Sequence, residues 1–436
     1  MKRVLGIRVS RQARVVPANP RCFRLKAHGD QSVNELRNLY FRERPAYLRR
    51  ARKVFYNDNS FRRTFAWVVE DVVVQAIQLV RCNRKAARSF GAPGSARQFF
   101  QMLYLSLRVP MMPENYYKFE LYGAPGRKRA ALFLNRYETK SVLFKMMMPK
   151  GDIKKTSPLT DKRIFEVKAR SAGLRCAKTS LVIDQQNLDA NELPEGDVFV
   201  KPTNGKGGRA AQAWEWDHSE RSYKEVGGAM AFSKEGLLSH YRQLSKNETW
   251  LVQSRLEVHP ALHDISLGVA ATCRVHTIID EDGVPEPVVA AFRLPAAVGQ
   301  SVDNIHAGGI SSAIDIRSGV LSAATDLGIN VGVGRISNHP ITGAQIEGKI
   351  IPCWDEVLDL AKAAHEEFRP RVLVGWDICV TPDGPILVEG NAQPCVDHIQ
   401  RTHAAPLGNH RYAELMLHHI LVTGQSQSPV SPHSEA

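Results

Sequence analysis

The segment VGWDICVTPDGPILVEGNAQP, residues 374–394, sets the strictest limits on the fold. Two runs of strand-forming residues flank a Pro-Asp-Gly turn at 382–384, where Gly supplies a positive φ. If the turn centres on its Asp, Asp377 lies opposite Glu389, and the two-residue period of a strand puts Asn391 on the same face as Glu389. The sequence therefore predicts an antiparallel strand pair that brings two carboxylates and an amide into one patch.

This patch is a candidate magnesium site. Two carboxylates placed opposite each other repel, so we expect a cation between them. Carboxylate and amide oxygens are ligands that Mg²⁺ accepts alongside water and phosphate oxygens. The alternative is that Asp377 and Glu389 lie on a solvated sheet edge. The apolar runs at 372–374 and 386–388 favour central strands instead.

Short strand-like runs alternate with helical ones over the rest of the acidic part of the chain. A helix is predicted for LTDKRIFEVKARSAG, with Asp161 as its N-cap and Gly173 at its end, and another at about 355–368. Paired strands joined by turns and mixed with helices are typical of an α+β fold rather than a doubly wound parallel sheet. The predicted strands are DVFVKP, AAQAWEW, TWLVQSRL, ATCRVHTII and PVVAAFRL.

Positive charge is concentrated at one end of the chain. Residues 1–150 carry 31 Lys and Arg against 9 Asp and Glu, whereas the remainder carries 27 against 35. Helix-like spacing of apolar residues over 33–80 predicts a basic, mainly helical N-terminal domain. Such a block is expected to attract an anionic polymer or an anionic membrane surface, although a merely solvated basic surface is an equal alternative.

Four parts are predicted along the chain. They are the basic helical domain at 1–150, a part with the Gly-rich loop at 151–255, a part with the metal site at 256–422, and a polar, disordered tail at 423–436. No apolar run reaches the roughly 18 residues of a membrane span, and the apolar segment at the start is too short for a signal peptide. The seven cysteines are scattered, without a C-x-x-C pair. These features predict a cytoplasmic protein with reduced thiols, able to bind peripherally at the inner membrane face.

A Gly-rich loop follows the strand that ends in Lys201. Glycines at 205, 207 and 208 let backbone N–H groups approach phosphate oxygens, which Lys201 could neutralise. The loop matches neither a Walker A loop nor a dinucleotide-binding turn. By itself, a Gly-rich hairpin loop is more often a plain flexible connection.

Two arginines lie within mostly apolar strands, and we expect Arg274 and Arg293 to face each other across a hairpin. A guanidinium in a buried strand needs an anionic partner, and a bound phosphate or carboxylate would serve. The alternative is an ion pair with an Asp or Glu of the same sheet, which the sequence favours more for Arg293 than for Arg274.

The sequence VDNIHAGGISSAID brings several polar residues and a glycine pair into one loop, which could close a site or bind a substrate anion. Its candidate substrate-binding residues are Asp303, Asn304, Gly308 and Gly309, with His306 as a candidate catalytic residue. A single His in a polar loop is more often a surface residue than a catalyst.

Taken in order, these motifs resemble those of the ATP-grasp superfamily. More narrowly, LVQSRLEVHPAL, CRVHT, VDNIHAGGISSAID, HPITGAQIEGKIIPCW and VGWDICVTPDGPILVEGN are similar to the sugar-transfer-associated ATP-grasp family, which is related to α-L-glutamate ligases. The likeness covers residues 162 to about 421. It implies an ATP-grasp fold, in which two α+β subdomains hold ATP between them.

The resemblance also implies a role for each matching residue. The residues that would bind ATP are Lys162, Lys201, Gly205, Gly207, Gly208 and the hinge from Gln253 to Leu256. Those that would hold one or two Mg²⁺ ions are Asp377, Glu389 and Asn391. Arg274 would steady the transferred phosphoryl group. The family hinge usually offers a Glu where Gln253 and Ser254 stand, which leaves the adenine contact less well supported than the metal site.

The implied activity is an ADP-forming ligase that joins a small-molecule carboxylate to an amine, in cell-surface glycan or related biosynthesis. Phosphoryl transfer needs positioned cations rather than a protein nucleophile, and the sequence contains no G-x-S-x-G elbow. Two alternatives remain: a kinase on the same scaffold that phosphorylates a hydroxyl or a sugar, and a non-enzymatic polyanion-binding protein.

Overall fold

The structure is a computed structural model of the 436-residue chain. It describes residues 35, 72–109, 111–148, 158–184, 193–203, 210–245, 248–305, 308–329 and 334–425. Most of the region predicted to be helical at 33–80 therefore lies outside the described residues. From Val72 onward that region is helical, as predicted.

The described part of the N-terminal region consists of helices. A turn with Gly91 at a positive φ joins the first two, and the apolar faces of these helices pack around Met102 and Tyr116. The helices are α1 (Gln75–Ser89), α2 (Ser95–Arg108), α3 (Glu114–Lys118), α4 (Ala124–Arg129), α5 (Arg136–Glu138) and α6 (Phe144–Met146); a π-helical turn, Thr139–Leu143, lies between the last two.

The first sheet has six strands in the order β1-β6-β2-β3-β4-β5, and all neighbours are antiparallel. Alternate side chains of the sheet pack against α8, with Trp214 and Tyr241 fully buried at the centre. The elements are β1 (Thr179–Ile183), β2 (Val198–Pro202), β3 (Gln212–Asp217), β4 (Ser222–Glu225), β5 (Ala231–Ser233), α8 (Lys234–Leu244) and β6 (Trp250–Ser254).

The second sheet has seven antiparallel strands in the order β11-β10-β9-β8-β7-β12-β13. Its strands are β7 (Thr272–Ile279), β8 (Pro285–Leu294), β9 (Ile310–Ile314), β10 (Ala324–Thr325), β11 (Arg335–Ile336), β12 (Leu373–Thr381) and β13 (Gly384–Asn391). Its helices are α9 (His263–Ser266), α10 (Trp354–Glu367), α11 (Val396–His403) and α12 (Arg411–Gln425). The α+β prediction is thus confirmed in both sheets.

Both faces of the second sheet are covered. Odd-numbered residues of β7, such as Cys273, pack on α10, whereas Ile278 faces α12 together with Leu143 and Phe144 of the N-terminal region. The chain before residue 150 therefore contributes to the core of the second sheet. The predicted division at that residue stays a prediction.

The predicted hairpin forms, and Asp377 pairs with Glu389 as expected. The turn itself is one step tighter than expected, since Thr381 pairs with Gly384, and a bulge beyond Asp377 restores the predicted partners. The prediction of two central strands is wrong for β13, which is the last strand of its sheet. It is nonetheless shielded, because Cys176 forms a parallel bridge to Leu387.

Local signals also place the helix α7 (Lys162–Ser171). Asp161 caps it by accepting hydrogen bonds from the N–H groups of Arg163 and Ile164, and Gly173 follows its end at a φ of 75°. The last helix, α12, runs three residues past the predicted start of the tail, and residues 426–436 lie outside the description.

None of the helices in the described ranges has the length and apolar character needed to cross a membrane. The six cysteines within these ranges all carry free thiols.

Candidate active site

A cavity of about 260 Å³ lies between the two sheets, where the ends of β2 and β6 face β7, β8, β12 and β13. It gathers most of the side chains that the sequence singled out. Those that line it are Lys162, Lys201, Gln253, Leu256, Arg274, Arg293, Asp303, Asn304, Asp377, Glu389 and Asn391.

The remaining candidates divide into two groups. Gly308 and Gly309 lie in the loop behind Asn304, whose carbonyl accepts a hydrogen bond from the N–H of Gly309, and neither glycine lines the cavity. The other candidates, His306, Gly205, Gly207 and Gly208, lie outside the described residues.

The carboxylate pair forms one wall of the cavity. Asp377 is fully buried and lies directly opposite Glu389, and the side chain N–H of Asn391 donates to Glu389 Oε1 at 3.2 Å. Burial raises the pKa of Glu389, and the neighbouring charge of Asp377 raises it further. Burial and the charge of Asp377 therefore both disfavour the ionised form of Glu389.

Arg274 and Arg293 both bind Asp377. Arg274 on β7 pairs directly with Asp377 on β12 and donates to it from Nε and from Nη2, the latter at 2.8 Å. Arg293 Nη2 lies 3.0 Å from Asp377 Oδ2. Burial works to raise the pKa of Asp377, but the two guanidiniums hold it below the ordinary value of an aspartate. Asp377 is therefore ionised at neutral pH.

The expected pairing of the two arginines is wrong in register. Arg274 pairs with Ala291 and Arg293 with Thr272, so the two guanidiniums are diagonal neighbours on one face. An ion pair within the sheet, which the sequence favoured less for Arg274, is what the structure shows for both. Both guanidiniums bind Asp377, and a cation between Asp377 and Glu389 stays a prediction.

Asp303 completes this network from the loop before β9. Its Oδ2 accepts hydrogen bonds from Thr272 N at 2.8 Å and Thr272 Oγ1 at 2.6 Å, and its Oδ1 lies 3.4 Å from Arg293 Nη2. The two buried carboxylates on either side of Arg293 raise its pKa against the opposing effect of burial. Asp303 thus fixes the position of Arg293 rather than pointing freely into the cavity.

The two lysines approach from the other side of the cavity. Lys162 Nζ donates to the carbonyls of Pro202 and Thr203, both at 3.2 Å. Lys201 is 7% exposed at the end of β2, and burial lowers its pKa to about 8, with Lys162 adding to the effect and Glu389 opposing it. Burial likewise lowers the pKa of Lys162. Both ammonium groups would gain from a nearby anion.

The hinge lies between β6 and the second sheet. The side chain of Gln253 donates to the carbonyl of Ala177 and to Thr179 Oγ1, both at 3.3 Å, so it is tied to β1. Leu256, with Phe199 and other apolar side chains, lines the neighbouring part of the cavity. An aromatic base could therefore contact an apolar wall and the hinge backbone rather than the Gln253 side chain.

The donor set suits Mg²⁺. No group of three or more His, Cys, Asp and Glu side chains within the described ranges is placed to hold a metal ion. The predicted set has two carboxylates and one amide, all hard oxygen donors, and a magnesium ion usually completes such a set with water and phosphate oxygens. The raised pKa of Glu389 beside the ionised Asp377 shows where a divalent cation would relieve repulsion.

The cavity also contains side chains that were not found from the sequence, among them Lys140, Gln393 and Cys395. Gln393 and Cys395 follow β13, and Lys140 belongs to the N-terminal region. The alternation that selected Asn391 reaches Gln393 if it is continued past the strand. No sequence signal marks Lys140, because its approach depends on how the N-terminal helices pack.

The sequence profile of a family described as sugar-transfer associated ATP-grasp matches residues 150–410. The predicted resemblance and the ATP-grasp fold are confirmed by this match. No protein with a curated description matches the chain.

Several solved structures are similar to the chain. D-alanyl-alanine synthetase A from Vibrio cholerae has 12% identity and a TM-score of 0.36, covering 61% of this chain and 65% of its own. D-alanine–D-alanine ligase from Bacillus anthracis complexed with ATP has 12% identity and a TM-score of 0.36, and the match covers 62% of this chain and 68% of the ligase. L-amino acid ligase from Bacillus licheniformis has 9% identity and a TM-score of 0.35, and the match covers 60% of this chain and 48% of the ligase. The chain thus spans less than two thirds of the first and the third of these proteins.

Proposed function

The chain belongs to the sugar-transfer associated ATP-grasp family, and from this membership we propose that it is an ATP-dependent, ADP-forming ligase that joins a carboxylate to an amine. One observation carries the proposal. The paired carboxylates of Asp377 and Glu389, the half-buried Lys162 and the buried Lys201 line the same cavity between two sheets. Opposite charges on facing walls suit a triphosphate and its counter-ion.

In the proposed reaction, an oxygen of the substrate carboxylate attacks the γ-phosphorus of ATP. A new O–P bond forms, the bond from the γ-phosphorus to the bridging oxygen breaks, and ADP leaves. The amine nitrogen then attacks the acyl carbon, loses a proton and expels phosphate, which leaves an amide. The protein contributes no nucleophile to either step, so its task is to position the reactants and neutralise charge.

The lysines would perform the neutralisation. With a pKa of about 8, Lys201 is mostly charged at neutral pH, and a phosphate oxygen beside it would raise that value further. Lys162 would bind the same phosphates from the N-terminus of α7, where the helix dipole also favours an anion. Residues Gln253 to Leu256 would bind the adenine through the hinge backbone.

Arg274 and Arg293 would act through Asp377. By keeping that carboxylate ionised and fixed, they would prepare it, together with Glu389 and Asn391, to hold one or two Mg²⁺ ions. Bound magnesium would supply positive charge to the phosphate oxygens. The role of Arg274 in steadying the transferred phosphoryl group stays a prediction, since its Nε and Nη2 are engaged by Asp377.

We place the reaction in cell-surface glycan or related biosynthesis, because the family is described as associated with sugar transfer. The cytoplasm, with contact to anionic polymers or membranes through the basic N-terminal block, remains our proposal for its location. The charges of that block lie largely outside the described residues.

An ADP-release assay with Mg²⁺ tests the proposal. A panel of sugar acids and amino acids as carboxylates, with amino sugars and amino acids as amines, is expected to contain pairs that stimulate ADP release and yield an amide by mass spectrometry. Asp377→Asn is expected to lower turnover at least 1,000-fold. Asp383→Asn is the matched control, because Asp383 is exposed in the turn of the same hairpin.

The outcomes separate the alternatives. A stable phosphorylated product formed without an amine would identify a kinase. Absence of ADP release with every pair, together with polyanion binding that survives Asp377→Asn, would leave a non-enzymatic binding protein.

A further inference from the structure

Lys140 reaches the cavity from a part of the chain that lies before the family match. The π-helical turn that carries it is held against α11. Gln400 exchanges two hydrogen bonds with the backbone of Leu134, at 3.0 and 2.5 Å, and Asp397 Oδ1 accepts one from Arg136 N at 2.9 Å. Leu143 is buried in the core of the second sheet. The position of Lys140 is therefore set by packing and not by a loose loop.

The ammonium of Lys140 has no hydrogen bond or ion pair with any residue that the structure describes, whereas three cations near it are paired with carboxylates. Arg274 and Arg293 bind Asp377, and Lys118 binds Asp397 at 2.8 Å. Burial lowers the pKa of Lys140; Cys395 and Asp397 oppose this effect, and Arg136 and Arg274 add to it. Among the described residues, Lys140 is thus a half-buried cation without a counter-ion of its own.

Gln393 supplies a second donor that lacks an acceptor. Its Nε2 is buried and has no hydrogen-bond partner in the described part of the chain, although the side chain lines the same cavity. A buried N–H group without an acceptor costs free energy, and this cost disappears when a ligand oxygen occupies the position. An ammonium and an amide N–H that both lack acceptors fit an anionic oxygen group and repel an amine in its ammonium form.

We propose that Lys140 and Gln393 bind the carboxylate substrate, so that the N-terminal region completes the active site. This inference rests on the proposed ligase function, and it assigns the carboxylate to the Lys140 end of the cavity. It also gives the N-terminal region a role in specificity that its net charge alone does not reveal. The amine substrate, by contrast, would enter away from Lys140.

Lysine labelling in the full-length protein tests the assignment without knowledge of the natural substrate. Reductive dimethylation by formaldehyde and dimethylamine-borane is measured at each lysine by peptide mass spectrometry. Acetate, malonate and succinate at 10 mM serve as probes, with and without MgADP, and the corresponding amides and inorganic phosphate serve as comparisons. Lys145, exposed on the same segment, is the control lysine.

At least one of the three carboxylates is expected to slow labelling of Lys140 about fivefold or more, while its amide has no effect and Lys145 is unchanged. MgADP alone is expected to protect Lys162 and Lys201, which tests the proposed nucleotide site independently. If MgADP protects those two lysines and no carboxylate protects Lys140, the inference is wrong while the ligase proposal stands. Equal protection by phosphate would also overturn it.

Kinetics of variants provide a second readout once a substrate pair is known. Lys140→Met is expected to raise the KM for the carboxylate on the order of 30-fold and to leave the KM for ATP unchanged, because a hydrogen bond to a charged group is lost. Lys140→Arg is expected to restore most of the affinity, and Lys145→Met to behave like wild type. An effect on kcat alone would show that Lys140 does not bind the carboxylate.

Discussion

Replacing Lys201 by methionine is expected to stabilise the protein in the absence of nucleotide. Lys201 is buried at the end of β2, and its pKa in the folded protein is about 8 against 10.5 for a free lysine. One pKa unit corresponds to about 1.4 kcal/mol, so ionisation of Lys201 at pH 7 costs the folded state about 3 kcal/mol. Methionine retains most of the side chain's volume without the charge.

The stability gained by Lys201→Met is expected to depend on pH, and the direction of this dependence follows from the lowered pKa of Lys201. Between pH 8 and 10.5 the unfolded chain keeps the proton on Lys201 and the folded protein does not. The wild-type protein therefore gains stability as the pH rises through this window. The advantage of Lys201→Met is expected to shrink from about 3 kcal/mol at pH 7 to about 1 kcal/mol at pH 9.5.

Urea unfolding followed by tryptophan fluorescence measures both values, since Trp214, Trp216 and Trp250 lie in the same sheet as Lys201. Lys178→Met, at an exposed position just before β1, is the matched control and is expected to change stability by less than about 0.5 kcal/mol. The reasoning is refuted if Lys201→Met lowers stability at pH 7, or if its advantage is the same at both pH values.

The same variant separates stability from function. If Lys201 binds phosphate, MgATP at 100 times its Kd stabilises the wild-type protein by about 2.7 kcal/mol, and this gain is expected to be lost in Lys201→Met. A variant that is more stable alone and less stable than wild type with MgATP would show that the burial of this charge serves ligand binding. An undiminished response to MgATP would remove Lys201 from the nucleotide site.

Two further predictions follow from close contacts in the structure. Asp377→Asn is expected to lower the free energy of unfolding by about 3 kcal/mol or more, because it leaves two buried guanidiniums without a counter-ion. The control, Asp359→Asn in an exposed ion pair, is expected to change it by less than about 0.5 kcal/mol. Equal effects of the two variants in urea unfolding would contradict this prediction. Gly227→Ala is expected to lower kcat/KM for ATP at least tenfold, because the added methyl group would overlap the carbonyl of Gly299 where the first sheet meets the loop after β8. Gly283→Ala, at a similar positive φ in open space, should leave kcat/KM unchanged, and equal kinetics for the two variants would show that the Gly227–Gly299 contact does not matter for catalysis.

Local patterns were sufficient to predict the strand pair of β12 and β13 that carries Asp377, Glu389 and Asn391. Alternation along a strand depends only on backbone geometry, so the common face of Glu389 and Asn391 could be derived from spacing. The predicted pairing of Asp377 with Glu389 was also correct, although the turn that it was derived from differs from the predicted one. The turn is shorter than expected and a bulge compensates, and nothing in the sequence VTPDGPILVEG marks where that bulge falls.

Contacts between distant segments could not be derived in this way. The sequence placed Arg274 and Arg293 in buried strands that need an anion, yet Arg274 of β7 pairs with Asp377 of β12, which lies 103 residues further along the chain. That pairing brings Asp377 opposite Arg274 and turns an expected ligand site into an ion pair. The anion that the sequence correctly required was thus supplied by the protein itself.

The same argument explains why Lys140 stayed hidden. Charge counting identified the N-terminal region as basic, but charge alone favours any polyanion and selects no single side chain. What distinguishes Lys140 is that two carboxylates near it already form ion pairs with other residues. Asp377 is paired with Arg274 and Arg293, and Asp397 is paired with Lys118. A cation becomes a candidate for ligand binding when the nearby carboxylates are already paired with other cations. Such pairing can be recognised only after the tertiary contacts are known.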